Sequence, residues 1–159
     1  VDPLHSSGIA QSLCGVERVT QILGTAWQTD RLGELLRDYE RTVTLEFSLI
    51  DKLVAGCFLS LNRFSVFAAY SMLYFAAATT FEHRRASGTK DGAFLCADDD
   101  TLRELVSTTL DELPAVLNGS DDDHRRFAKQ VAARIEPFNR VGLFSPEVPN
   151  MYRYTVAPT

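Results

Sequence analysis

Motifs that announce a known chemistry are missing from this sequence. It contains no G-x-S-x-G elbow, no P-loop, no H-E-x-x-H and no G-x-G-x-x-G turn, so the short signatures of nucleophilic, phosphate, zinc and dinucleotide sites are all absent. Cysteine is scarce. Cys14, Cys57 and Cys96 are odd in number, widely spaced and without a C-x-x-C pair or histidine partners, which excludes a disulfide framework and a zinc site and predicts reduced, buried small hydrophobes. Basic residues are outnumbered, 16 Lys and Arg against 21 Asp and Glu for a net charge of -5. Phosphate binding needs clustered cations, so nucleic acid is not an expected partner. The start of the chain has neither a basic nor an apolar segment of signal-peptide type. A cytoplasmic location is the expectation.

What is present reads as helix. The 159 residues with 45% apolar and 23% charged side chains are enough for one domain with a real core. From Ser7 to Leu23 the residues Ile9, Leu13, Val16, Val19, Ile22 and Leu23 recur at steps of three and four, and Gly24 stands where a helix often closes. Thr29 or Asp30 can cap a second helix running to about Asn62, with Leu32, Leu35, Leu36, Tyr39, Val43, Phe47, Ile50, Val54 and Phe58 along one side. Charge vanishes after Lys52, which predicts that the second half of this helix is surrounded by protein.

The stretch from Phe64 to Phe81 has no charged residue at all. Its length approaches that of a membrane span, but Ser, Thr, Tyr and many Ala dilute it, so it reads as a central helix buried in protein. It should end near "EHRRASG", where cations meet the negative helix terminus and Gly88 permits a left-handed turn. "SGTKDGAFLCADD" is expected to be a loop. Asp98, Asp99 and Asp100 then open a helix over about Thr101 to Leu117, bent or ended near Pro114, and "NGSDDD" precedes a last helix from about Asp121 to Glu136. The remainder, with Pro137, Pro146, Pro149 and Pro158, predicts an extended tail. The fold class is all-α, about five helices and an irregular proline-containing tail, with no repeat or linker marking a second domain.

Most chemical candidates have simpler explanations. His5, His83 and His124 are scattered among helix ends and loops and read as solvated or capping groups. Asp121, Asp122 and Asp123 lack calcium-loop spacing and read as charge at a helix start. Glu40 and Glu46, among Arg37, Arg41 and Lys52, read as a salt-bridged exposed face. Two features remain. Ser6, Ser7 and Gly8 precede a helix whose dipole and free N–H groups could hold a phosphate, a carbonyl oxygen or a halide, against the simpler reading of ordinary serine capping. The aromatic series Phe58, Phe64, Phe67, Tyr70, Tyr74, Phe75 and Phe81 should be mostly core, with Phe67, Tyr70 and Tyr74 the candidates to line an apolar cavity for an aromatic or acyl substrate.

"DPLHSSGIAQSLCGVER", "DYERTVTLEFSLIDKLVAGCF" and "AAYSMLYFAAATTFEHRR" resemble the C-terminal part of flavin-dependent oxidoreductases of the halogenase type, relatives of the tryptophan halogenases and phenol-type monooxygenases. The family turn, D/E-P-x-x-S-[ST]-G, is matched by Asp2-Pro3-Leu4-His5-Ser6-Ser7-Gly8. The resemblance implies an FAD cofactor in the parent enzyme, with Ser6, Ser7 and Gly8 near the flavin's pyrimidine edge or a halide. It also implies a small-molecule substrate, aromatic or acyl. It makes residues 1–24 the terminal helix of a flavin domain whose Rossmann-type part is absent from this chain, 29–137 a helical substrate-side domain and 138–159 the extended tail. His5 stands where tryptophan halogenases carry an important Glu, so the resemblance does not select halogenation over hydroxylation or dehydrogenation.

On that reading the chain alone contains no catalytic residue and no metal site, binds no FAD, and exposes an apolar patch through which it self-associates. The rival is a stand-alone helical module that binds an apolar ligand or a partner helix without catalysis. No membrane partner is expected on either reading; docking of the Phe64 helix on a membrane surface is a third idea that liposome co-sedimentation would test.

Overall fold

The computed structural model describes residues 6–88 and 92–145. It is all-helical, as the periodicity predicts, with α1 Ser7–Ala26, α2 Leu32–Ser60, α3 Phe64–Ala86, α4 Asp100–Leu117 and α5 Asp121–Ile135. Short 3-10 turns cover Phe94–Cys96 and Glu136–Phe138. No strand occurs among the described residues.

α3, charge-free from Phe64 to Phe81, is the axis of the molecule. Val66, Ala69, Tyr70, Leu73, Ala76, Ala77 and Phe81 are all buried, and α3 touches α2, α4, α5 and both 3-10 turns. A helix apolar on every side must be covered on most of them, and from Val66 onward protein does so, while Phe64 at its start stays exposed. Small residues make this possible. A Cβ on Gly56 of α2 would lie 2.1 Å from the Tyr70 ring, so only glycine lets the ring pack flush on that helix, and the Tyr70 hydroxyl then donates to the Lys52 carbonyl at 2.9 Å.

The later helices start where their caps dictate. The Asp99 carboxylate accepts from the Leu102 N–H at 3.2 Å, opening α4. Ser120 and Asp123 exchange side-chain and backbone bonds in a capping box that opens α5. Hydrogen bonds from the Ser120 hydroxyl and N–H hold the Asp123 carboxyl below the usual carboxylate range. Pro114 lies within α4, three residues before its end.

Several local expectations are corrected. Neither Thr29 nor Asp30 caps α2 with its side chain; the helix begins at Leu32 after Arg31. Phe47 and Phe58 are half-exposed, because the core face of α2 is the neighbouring stripe Leu49, Leu53, Gly56 and Cys57. The stretch read as a loop contains a segment, Ala93–Ala97, that is wholly buried. Leu95 and Cys96 sit there at φ 56° and 57°, a left-handed conformation that a side chain adopts only when its surroundings enforce it. Phe94 supplies part of that enforcement by packing edge-on against Phe81, ring centres 5.3 Å apart.

Candidate functional site

α1 is inside out. Its apolar residues Ile9, Leu13 and Val16 are 67%, 67% and 65% exposed. The face turned to the protein carries Ser7, Gln11, Gly15 and Ala26, with Arg18 close behind at 15% exposure of its side chain. These inner positions follow helical spacing as faithfully as the outer ones. The predicted apolar stripe of this helix therefore exists, but it does not meet the core.

What holds α1 down is a buried carboxylate on α2. Glu46 has no exposed surface. It accepts from Arg18 Nη1 at 2.5 Å and from Gln11 Nε2 at 3.3 Å, both on α1. The backbone N–H of Phe94 donates to the same carboxylate at 2.6 Å, and Arg18 Nη2 reaches on to the Gly92 carbonyl at 2.8 Å. One carboxylate thus joins α1, α2 and the buried 3-10 turn, with its oxygens met by charged and backbone donors as burial of a carboxylate requires. This overturns the reading of Glu46 as part of an exposed salt-bridged face. Its partners come from distant parts of the chain rather than from Arg37, Arg41 or Lys52. Lys52 donates instead to Ser107 Oγ at 2.6 Å.

Beside this knot runs a groove of about 270 Å³ between α1 and α3, lined by Ala10, Leu13, Cys14, Glu17, Phe81, Glu82, Arg85 and Phe94. Arg85 closes one wall. It pairs with Glu17 at 3.0 Å and lies over the Phe81 ring at 5.7 Å. Burial pushes the Cys14 thiol up, against the pull of Arg18 and Arg85. A thiol held protonated is a poor nucleophile. Cys57 and Cys96 are buried, as expected, and burial raises Cys96 to about 11.

The N-terminal end of α1 is where the sequence placed a cofactor contact. Ser6 is exposed at φ 51° and its side chain caps nothing. Ordinary serine capping is therefore not what occupies this turn. Ser7 is buried and Gly8 half-buried, while no acidic side chain lies in the first turn. Asp2, Pro3, Leu4 and His5 fall outside the described residues. Tyr70 is fully packed, Phe67 and Tyr74 are half-buried, and none of the three lines the α1–α3 groove. His124, read as solvated or capping, is buried instead, with Nε2 lacking a partner. No cluster of metal-ligating residues occurs among the described residues.

Comparison with protein families, curated proteins and solved structures yields no match. The geometry therefore carries the functional argument alone, and its most unusual element is a helix anchored by polar groups with its apolar face outward.

Proposed function

We propose that this chain is the helical, substrate-side portion of an FAD-dependent oxidoreductase of the halogenase and monooxygenase type, and that the outer face of α1 is where the flavin domain sits. The observation carrying this reading is the exposure of Ile9, Leu13 and Val16 on a helix whose inner face is made of small and polar residues. With half-exposed Trp27 and Leu23, these residues offer on the order of 600 Å² of apolar surface, at the top of what an isolated domain normally leaves in water and approaching one partner's share of a stable interface.

The cofactor contact fits the end of the same helix. Ser6, Ser7 and Gly8 form a helix start without a competing carboxylate, and first-turn N–H groups favour an electron-rich edge. FAD would supply the redox and oxygen chemistry. The chain's own contribution is to orient that edge and stabilise negative charge on it. The Glu46 knot acts one layer behind, fixing α1 against α2 so that its first turn is held in place.

The test is the coding frame upstream of Val1. On this reading it runs through a strand, a G-x-G-x-x-G turn and a helix, and the longer product binds FAD, whereas FAD leaves the thermal midpoint of residues 1–159 unchanged. An initiator methionine directly before Val1, or a saturable FAD-dependent shift for residues 1–159 alone, overturns it.

A second reading has its own support. Ile9, Leu13, Val16, Thr20 and Leu23 alternate steps of four and three, the spacing of a seam that packs against another helix. A stand-alone module whose α1 receives a partner helix would use the same face, and the upstream frame separates the two.

A further inference from the structure

The groove between α1 and α3 has a floor and a rim of different chemistry. Its floor is aromatic. Phe81 and Phe94 are buried and meet edge-on, ring centres 5.3 Å apart, with Cys14 beside them on the α1 wall. At about 270 Å³ the groove has the volume of roughly nine water molecules, room for one ring and a short chain. Its rim is charged, with Glu17 on α1 and Glu82 and Arg85 on α3. An apolar recess edged by a few polar groups is the usual form of a small-molecule site.

The rim is one cation short. Arg85 donates to Glu17 at 3.0 Å and lies over the Phe81 ring at 5.7 Å, so its guanidinium is held from two sides. Glu82 is exposed, and its side chain forms neither an ion pair nor a hydrogen bond with any described residue. It acts on Arg85 only through its field, behind the Glu17 hydrogen bond. Neighbouring cations do not make up the difference. Arg18 is taken by Glu46 and the Gly92 carbonyl, and Arg84 by Asp98 and Asp99. Among the described residues lining the groove, two carboxylates therefore share one guanidinium.

That uncompensated carboxylate selects the occupant. A neutral apolar molecule would leave Glu82 as it is, and an anion would be repelled by it and find Arg85 already engaged. A compact organic cation gains at both levels, its ring against the aromatic floor and its charge against the rim. We propose that the α1–α3 groove is a binding site for an aralkyl ammonium ion, one aromatic ring joined by a short chain to a protonated amine, with Phe81 and Phe94 meeting the ring and Glu82 accepting from the ammonium. The inference does not rest on the flavoenzyme reading, because it invokes only side chains between α1 and α3 and no cofactor.

An amide-resolved NMR titration of residues 1–159 with phenethylammonium at neutral pH tests it. The backbone signals of Cys14, Glu82 and Phe94 should shift and saturate, with a Kd on the order of a millimolar for so small a ligand. Phenethyl alcohol, its neutral counterpart, should bind about three- to fivefold more weakly, the range expected of one exposed charge pair, and the anion phenylpropionate more weakly still. Glu82→Gln should bring the ammonium level with the alcohol and leave the thermal midpoint at the parent value, since the replaced carboxylate is exposed and unbonded. Added salt should weaken the ammonium and spare the alcohol. Absence of saturable shifts at these amides overturns the proposal, as does a Glu82→Gln variant that binds the ammonium like the parent, or phenylpropionate binding as tightly as the ammonium. Saturable shifts confined to Ile9, Val16 and Leu23 would put the ligand on the outer face of α1 and also overturn it.

Discussion

α1 and α5 are both amphipathic helices, and the protein uses them in opposite senses. α5 buries Phe127, Val131 and Ile135 against the core and turns Asp121, Asp122, Arg125 and Arg126 outward. α1 buries Ser7, Gln11 and Gly15 and leaves Ile9, Leu13 and Val16 in solvent. The difference teaches that periodicity establishes two faces without saying which face its own domain takes. For α5, burial of the apolar face is what stabilises the helix. For α1, a buried carboxylate adds to a small apolar contact made by Ala10, Cys14 and Ala26, and the large apolar side chains Ile9, Leu13 and Val16 stay in solvent.

The largest effect that can break this contrast comes from α5. Phe127→Ala removes a fully packed ring and should cost about 3–5 kcal/mol, read as a steep fall in thermal midpoint or denaturant midpoint. A loss below about 1 kcal/mol would mean that α5 is not anchored through its apolar face. Glu46→Ala comes next, at about 3 kcal/mol, the lower part of the range for breaking a buried pair, because Arg18 left behind can still reach solvent. The cost should be local. Amide exchange in α1 should accelerate while α3 amides remain protected, and equal acceleration in both would show that α1 is not held separately through this carboxylate.

The sequence made the helical architecture legible because its strongest signals were local. The charge-free run of α3, the acidic start of α5, and the cations and Gly88 at the end of α3 each act within a few residues, and all appear where expected. The site was much less legible. Glu46 has cationic neighbours along its own helix, which made an exposed network the simplest reading. Its true partners, Arg18 and the Phe94 N–H, lie 28 and 48 residues away. The buried turn around Phe94 was hidden by its setting among Gly, Asp and Lys, although "AFLCA" is an uninterrupted apolar run that hinted at burial. Tyr70 read as a cavity wall because an aromatic carries no mark of whether it faces space or a glycine. Gly56, fourteen residues earlier, decides that.

A smaller effect probes the turn that Glu46 anchors. Cys96 has a thiol raised by burial from 9.0 to about 11, so the folded state favours the protonated thiol more than the unfolded chain does. Its contribution is complete below pH 9 and is lost as pH rises from 9 towards 11, by about 2 kcal/mol. The measurement is the stability difference between the parent and Cys96→Ala at pH 8 and pH 11. That difference should shrink at the higher pH, and a constant difference would show that the thiol is not shielded as the packing of Ala93–Ala97 implies.

The smallest expected change in stability is the sharpest statement about α1. Leu13 has the same helical credentials as Val131, yet Leu13→Ala should alter stability by no more than about 0.5 kcal/mol, because the residue is already in water. Binding of a hydrophobic dye to the folded protein should fall in the same variant, since Leu13 contributes both to the outer stripe and to the groove beside Cys14. A loss of several kcal/mol would mean that α1 turns its apolar face inward in solution or buries it against a second copy. Analytical ultracentrifugation separates those outcomes: a concentration-dependent dimer that Leu13→Ala dissolves places the buried surface between chains, whereas a monomer places it within one.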